Sequence, residues 1–301
     1  MSRVLVTGAG GLIGAELLPL LGRVGHEVHA VSARSGEGDA SAWHRCDLLD
    51  PGAAAALVAE VRPEVLVHLA WSRPGAGGED EHERWLAAGI ELWDAFTAAG
   101  GRRALVAGTS AEYEWSRPLL SEDSPLRPDS AYGRAKAALW ERLRERSDRD
   151  GVALAWPRLF WVYGAEPDSP RLVPSVARAL VEGRPVATTD GRQVRDFIQA
   201  SDAARALAAI LEAGAEGAVN VGSGAGTPVL ELLGAMERLA GRASEGLIEV
   251  GGIPRRPGDP PELVADVTRL RALGWAPELD LEAGLAATLE RTRELLGSVP
   301  G

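Results

Sequence analysis

The stretch VTGAGGLIGAE, residues 6–16, decides the fold. Val4, Leu5 and Val6 at its front read as a buried strand, and from Leu12 onward apolar residues recur at the three- and four-residue spacing of a helix. A strand, a glycine turn and a helix in succession make an anion site, because free backbone N–H groups and the helix dipole point at one spot. Pyrophosphate is the natural occupant. The template G-x-G-x-x-G started at Gly8 puts Ile13 where its last glycine belongs, whereas T-G-x-x-G-x-x-G fits Thr7, Gly8, Gly11 and Gly14. A glycine turn without a ligand is the competing reading. Gly14 weighs against it, since glycine inside a helical pattern costs roughly 1 kcal/mol unless a close approach requires it.

Outward from that turn, short apolar runs alternate with helix-length amphipathic segments. Val4–Thr7, Glu27–Val31, Val65–Ala70, Ala104–Thr109 and Val152–Leu159 read as strands. Leu12–Arg23, Ala53–Val61, Glu83–Ala99, Ala131–Arg146, Val173–Glu182, Ser201–Ala213, Val229–Ala240 and Leu281–Leu296 read as helices. The alternation predicts an α/β fold with a doubly wound parallel sheet. After about residue 165 strands become sparse and Pro/Gly punctuation denser, as in GGIPRRPGDPPE, residues 251–262. The expected organisation is a dinucleotide-binding domain over 1–165 and a smaller, mainly substrate-binding α/β domain over 166–301, interleaved so that strands near 194–222, at Val194–Ile198 and Ala218–Val221, return to the first.

Composition narrows the partners. The chain has 301 residues, 46% of them hydrophobic, enough for a substantial core. A formal net charge of −11 argues against nucleic acid or an anionic membrane as partner. Cys46 is the sole cysteine, so there is no internal disulfide and no cysteine-rich metal site, as in a reducing compartment. Strand-like sequence begins at Arg3 without a charged-then-apolar leader, and no run of about 18 apolar residues occurs. The expectation is a soluble cytoplasmic protein without a metal. Of the 32 basic residues only Lys136 is a lysine.

Cofactor choice is commonly decided about 20 residues beyond the glycine turn, where a carboxylate binds ribose hydroxyls or an arginine accepts a 2′-phosphate. The second strand ends HAVSARSG, residues 29–36, with Ser32 and Arg34 there and no carboxylate. This favours NADP(H), with NAD the alternative and a solvated Arg34 the plain reading. In RCDLL, residues 45–49, Asp47 can reach the adenine with Leu48 packed beside it, or Asp47 or Asp50 can cap a helix.

SAYGRAKAALW, residues 130–140, sets Tyr132 and Lys136 four apart on a helical stretch, on one face. Tyrosine has a reference pKa of about 10, and a neighbouring ammonium favours its phenolate. An ordinary surface pair is the alternative. LVAGTSAEYEW, residues 105–115, ends a strand with the hydroxyls of Thr109 and Ser110, where doubly wound sheets bind ligands.

The ordered set TGAGGLIG, CDLLD, VLVHLAW, VAGTSAEYE, YGRAK, PRLFWVYG, VRDFIQASD, VNVGSG and RRPGDPPELVAD resembles the extended short-chain dehydrogenase/reductase superfamily, in its nucleotide-sugar-modifying NAD-dependent epimerase/dehydratase branch. The resemblance covers essentially the whole chain. It implies Thr109 as the hydroxyl catalyst, Tyr132 as the acid/base and Lys136 as its partner. It places Leu12, Ile13, Leu69, Ala70 and Arg158 with the cofactor, and Ser110, Trp161, Arg171, Arg195 and Arg256 with the substrate.

Where family dehydratases carry an Asp-Glu pair after the threonine, this chain has Ser110 and Ala111, with Glu112 one residue late and facing the other way if extended. Trp161 and Ala165 stand where the family often has asparagine and proline, which leaves Trp161 to shape a sugar or base pocket or to pack in the core. A helix N-cap accounts for Asp202 and Asp266, and His68 reads as a packed strand residue near the cofactor. The expected activity is an NADP(H)-dependent ketoreductase acting on a nucleotide-linked 4-keto-deoxysugar, with an NAD-dependent nucleotide-sugar 4-epimerase as the alternative. An NADP(H)-sensing regulatory protein is the non-enzyme alternative. A homodimer through Glu83–Ala99 and Ala131–Arg146 is expected.

Overall fold

A computed structural model describes residues 1–34, 36–72, 78–166 and 168–297. The end of the expected second domain, 298–301, and residue 167 lie outside the described residues. The opening strand β1 (Arg3–Thr7) is the axis of the fold, with Val4, Leu5, Val6 and Thr7 all fully buried. Helix α1 (Leu12–Arg23) follows the glycine turn, then β2 (Glu27–Ser32), β3 (Ala42–Arg45), α2 (Ala53–Val61), β4 (Val65–His68), α3 (Glu79–Ala98) and β5 (Arg103–Val106). The later helices are α4 (Ala131–Asp150), α5 (Leu172–Glu182), α6 (Ala200–Glu212), α7 (Val229–Ala240), α8 (Thr268–Ala272) and α9 (Leu281–Gly297). The main sheet runs Gly217–Val221, Ala153–Leu159, β5, β4, β1, β2, β3, every pairing parallel. Strands buried on both faces need helices on each. Accordingly α1 and α6 pack on one side, while α2, α3 and α4 pack on the other. Beyond the sheet, α5, α7 and α9 enclose a third apolar cluster around Tyr163, Phe197 and Met236.

Several elements differ from the sequence reading. The strand expected over Val65–Ala70 stops at His68, which frees Leu69 and Ala70 to line the edge of the sheet. The run Ala104–Thr109 breaks into β5 and Gly108–Thr109, both paired with Ala153–Leu159. A Cβ at Gly108 would collide with the Trp156 indole, so only glycine lets the chain step inward there. Of the two later segments expected to return to the main sheet, Gly217–Val221 does so. Val194–Arg195 instead pairs with Thr227–Pro228 and Glu262–Ala265, and Phe197–Gln199 pairs with Trp161–Tyr163. Asp196 between them explains the diversion. Its fully buried carboxylate accepts from Ser223 N and Oγ (both 2.7 Å), Gly224 N and Ala265 N (both 3.0 Å), which ties three separate segments to one point.

Candidate active site

A cavity of about 620 Å³ opens at the carboxyl ends of β1, β2, β4 and β5, where a doubly wound sheet receives its ligand. Its floor is the glycine turn. Gly8 sits at φ +68°, and a Cβ on it would lie 2.7 Å from Ala70 N. At Gly14 a Cβ would lie 2.7 Å from Ala9 O, so helix α1 presses directly on the turn. Gly11 caps that helix in extended conformation with no side-chain cap, and the first turn holds no acidic residue. The amino end of α1 thus offers its N–H groups and dipole to an anion. Behind it, Thr7 Oγ1 accepts from Ala70 N (3.3 Å) and lies 2.7 Å from His68 Nδ1. His68 is the packed strand residue expected. Burial, and next the Lys136 charge, push its imidazole down to about 3. These residues fit a dinucleotide: both tight approaches are made possible by missing side chains, and Leu12, Ile13, Leu69 and Ala70 all line the cavity.

At the far end the wall is made by Ser32, Ala33, Arg34, Cys46, Asp47, Leu48 and Leu49. Ser32 Oγ accepts from Arg34 N (3.2 Å), and Asp47 accepts from Leu49 N (3.0 Å) while still facing the cavity.

Thr109, Tyr132 and Lys136 meet at the opposite wall. Ser130 caps α4 by accepting from Gly133 N (3.0 Å), and the helix then aligns Tyr132 and Lys136 on one face. Enclosure by protein pushes the Tyr132 phenol up to about 12. Its hydrogen bond with Thr109 and the charge of Arg171 pull it down, and Glu112 pushes it up. Lys136 is buried, and burial lowers its ammonium to about 7. The ammonium does not point at the phenol. It donates to Ala107 O (2.7 Å) and lies 3.9 Å from the centre of the Trp71 ring.

Glu112 holds Thr109 in place. Following Thr109, Ser110–Glu112 forms a single 3₁₀ turn with a capping box: Ala111 N donates to Thr109 Oγ1 (3.2 Å), and Thr109 N donates to Glu112 Oε1 (2.7 Å). The Glu112 carboxylate is wholly buried and faces away from the cavity. Trp156 Nε1 (3.1 Å) and Arg158 Nε (2.8 Å) donate to it. Burial pushes this carboxyl up, against the pull of the Arg158 guanidinium.

That arrangement corrects the expectation for Arg158. Rather than reaching the cofactor, its guanidinium is spent on Glu112, the Tyr113 hydroxyl (3.0 Å) and Glu122 O (3.2 Å), and it does not line the cavity. Among the expected substrate residues, Arg171 at the start of α5 lines the cavity. Ser110 does not. It is buried in the 3₁₀ turn, its carbonyl accepting from Trp115 Nε1 (2.9 Å). Trp161 packs near Trp115 and under Arg195, whose guanidinium binds Asp259 (2.7 Å) and Pro260 O (3.0 Å), so both stand outside the wall. Arg256 borders a separate small cleft with Trp115, Asp129 and Ser130. Asp202 lies in the first turn of α6 but accepts from Glu278 N and Leu279 N (both 3.2 Å), bracing the C-terminal segment. Gln199 is the cap of that helix. Asp266 accepts from Thr268 N (2.9 Å) from the position before the cap, which is Val267.

Sequence reasoning missed Trp71, Trp85, Phe160 and Glu166, all cavity-lining. For Trp71 there was a signal: in VLVHLAW a large indole closely follows the carboxyl end of a central strand, where ligands bind.

The fold has close counterparts. UDP-glucose 4-epimerase from Azospirillum brasilense is 28% identical over 335 residues, covering 97% of this chain and 93% of that protein. The crystal structure of the Thermus thermophilus UDP-glucose 4-epimerase in complex with NAD superposes with a TM-score of 0.88 and 30% identity, covering 99% of this chain and 100% of the other. MoeE5 in complex with UDP-glucuronic acid and NAD gives a TM-score of 0.84 and 31% identity over 97% and 99% of the two chains. These relatives support a nicotinamide cofactor and set aside the sensor reading in favour of an enzyme. Residues 4–222 match the family model described as NAD dependent epimerase/dehydratase family, and the chain belongs to that family, within the extended short-chain dehydrogenase/reductase superfamily.

Proposed function

We propose that the protein is a UDP-sugar 4-epimerase that works with NAD. The observation that carries this is the meeting of Thr109, Tyr132 and Lys136 on the wall of the same cavity whose floor is the glycine turn. Relatives that are UDP-glucose 4-epimerases favour epimerisation, the second of the two enzyme activities expected from sequence, over the NADP(H) ketoreductase that stood first. The chemistry supplied by a bound NAD is reversible acceptance of a hydride from the reacting carbon. Gly8, Gly11 and Gly14 seat its pyrophosphate, Asp47 and Leu48 take the adenosine end, and Leu69 and Ala70 flank the other. Tyr132 as its phenolate, a form that the Thr109 hydrogen bond and the Arg171 charge favour against enclosure, takes the proton of the sugar 4-hydroxyl as the carbonyl forms, and gives it back when the alcohol re-forms on the opposite face. Thr109 donates to the same oxygen and keeps it within reach of Tyr132. Lys136, held at the Ala107 carbonyl, donates toward the ribose. Arg171 meets the diphosphate.

One observation favours a second reading, NADPH-dependent reduction of a 4-keto nucleotide sugar. The end of β2 presents Ser32 and Arg34 to the cavity, with no carboxylate there to hold ribose hydroxyls. The test is to incubate the purified protein with UDP-galactose and no added cofactor, follow UDP-glucose by chromatography, and identify the dinucleotide released on denaturation. Epimer formation with released NAD is expected. Protein that releases no dinucleotide, leaves the sugar unchanged and oxidises NADPH against a 4-keto nucleotide sugar overturns the first reading for the second. The proposed homodimer through α3 and α4 is read in the same preparation by light scattering. Among the described residues no helix is long and apolar enough to cross a membrane.

A further inference from the structure

We propose that Trp71 is a positioning residue for Lys136, its indole face holding the ammonium against the Ala107 carbonyl so that it stays charged and aimed into the cavity. The proposal rests on the reading of Lys136 as part of the active site. Lys136 has lost its water, being only 2% exposed, yet no carboxylate pairs with it among the described residues. Ala107 O accepts one of its three N–H donors at 2.7 Å, and the Trp71 ring centre lies 3.9 Å from Nζ. An indole face is the best aromatic partner for a cation, and desolvation strengthens the attraction.

The other groups facing this ammonium do not replace the indole. On β4, His68 is held neutral by its burial and by the ammonium itself. Glu112 on the 3₁₀ turn favours the charged form, but its carboxylate is engaged by Arg158. Tyr132, one turn earlier on α4, has its phenol pushed up by enclosure. Trp71 is itself fixed from three sides. Its Nε1 donates to Nδ1 of the buried His82 on α3 (3.4 Å), Trp85 stacks on it at 5.9 Å, and Tyr132 meets its edge at 6.5 Å. His82 also packs against the Tyr132 ring at 5.7 Å, so this aromatic wall touches both members of the Tyr132/Lys136 pair.

The chain has one lysine, so protein grown with ¹³C-labelled lysine gives a single side-chain signal whose pH titration reports Lys136 alone. Trp71→Phe keeps an aromatic face, whereas Trp71→Leu keeps the site dry and removes it. Trp71→Phe is expected to titrate near the wild type and Trp71→Leu about one pH unit lower, the size of a partly desolvated cation–π contact. The alkaline limb of kcat for UDP-galactose should move down with it while KM changes little. Trp71→Met serves the same purpose should Trp71→Leu not fold. A Leu or Met variant that titrates at or above the wild-type midpoint overturns the proposal. A lowered midpoint in protein that turns over no UDP-sugar supports the role of Trp71 and defeats the epimerase reading instead.

Discussion

Replacing Glu112 by glutamine removes one charge and almost no volume from the turn that carries Thr109. In the folded protein the carboxylate accepts from Thr109 N at 2.7 Å, Trp156 Nε1 at 3.1 Å and Arg158 Nε at 2.8 Å, all out of water. The glutamine Oε1 can still serve Thr109 N. Its amide group then turns N–H donors toward a guanidinium and an indole that are donors themselves, and Arg158 keeps only the Tyr113 hydroxyl and Glu122 O. Breaking one side of a buried ion pair costs about 3–5 kcal/mol. In a chain of this size that corresponds to a fall in Tm on the order of 10 °C. Because the turn that carries Thr109 loses its tie to Arg158, kcat should fall as well, with KM far less affected. Circular dichroism melts of Glu112→Gln, Arg158→Met and the double variant Glu112→Met/Arg158→Met separate the contributions. The double variant should regain only part of the stability, since it avoids stranding one charge but leaves Thr109 N and Trp156 Nε1 without their acceptor. Single variants that melt within about 1 kcal/mol of the wild type would refute the reasoning.

Other outcomes follow from the site. Tyr132→Phe should lower kcat about 10²- to 10⁴-fold with little change in KM, as expected for loss of a proton-transferring group, checked by steady-state turnover of UDP-galactose. Gly14→Ala sets a Cβ 2.7 Å from Ala9 O and 2.8 Å from Ala9 Cα, so the pyrophosphate seat must shift. The dinucleotide recovered on denaturation should drop well below that of the wild type. His68 titrates near 3 in the folded protein against an ordinary 6.5, so the unfolded chain takes up the proton first as pH falls. Its contribution is complete above pH 6.5 and is lost between 6.5 and 3. Denaturant unfolding at a series of pH values should show a shallower slope across that window for His68→Asn, and an unchanged slope would count against the assignment.

The sheet, its helices, the glycine turn and the Tyr132/Lys136 pair were legible because each is local, a spacing of three, four or two residues within one segment, and the order of turn and pair along the chain is what the family resemblance joined. Arg158 was misplaced because its partner lies 46 residues away, and only the pairing of Gly108–Thr109 with Ala153–Leu159 brings Glu112 under it. Half-buried β3 went unseen because AWHR carries no alternation, its pattern being set by Glu27, Glu60 and the stacked His29 and His44 rings around it. The two-residue strands around Arg195 and Thr227 are too short for any periodicity, and it is Asp196, through its four donors, that gathers them. Trp71 ends a motif legible only as a strand, while its role depends on Lys136 arriving from a different element.

Lys136 also turns the composition into a tool for watching the protein open. With 32 basic residues of which one is a lysine, the folded surface offers amine-directed reagents only the terminal amine, because the side-chain amine at 136 is 2% exposed. Acylation of that residue therefore requires the wall formed by Trp71 and Ala107 to part. Under conditions where reclosing outruns the reagent, the labelling rate divided by that of a free amine gives the equilibrium population of the open wall. A single mass shift thus counts every opening that exposes the proposed catalytic centre.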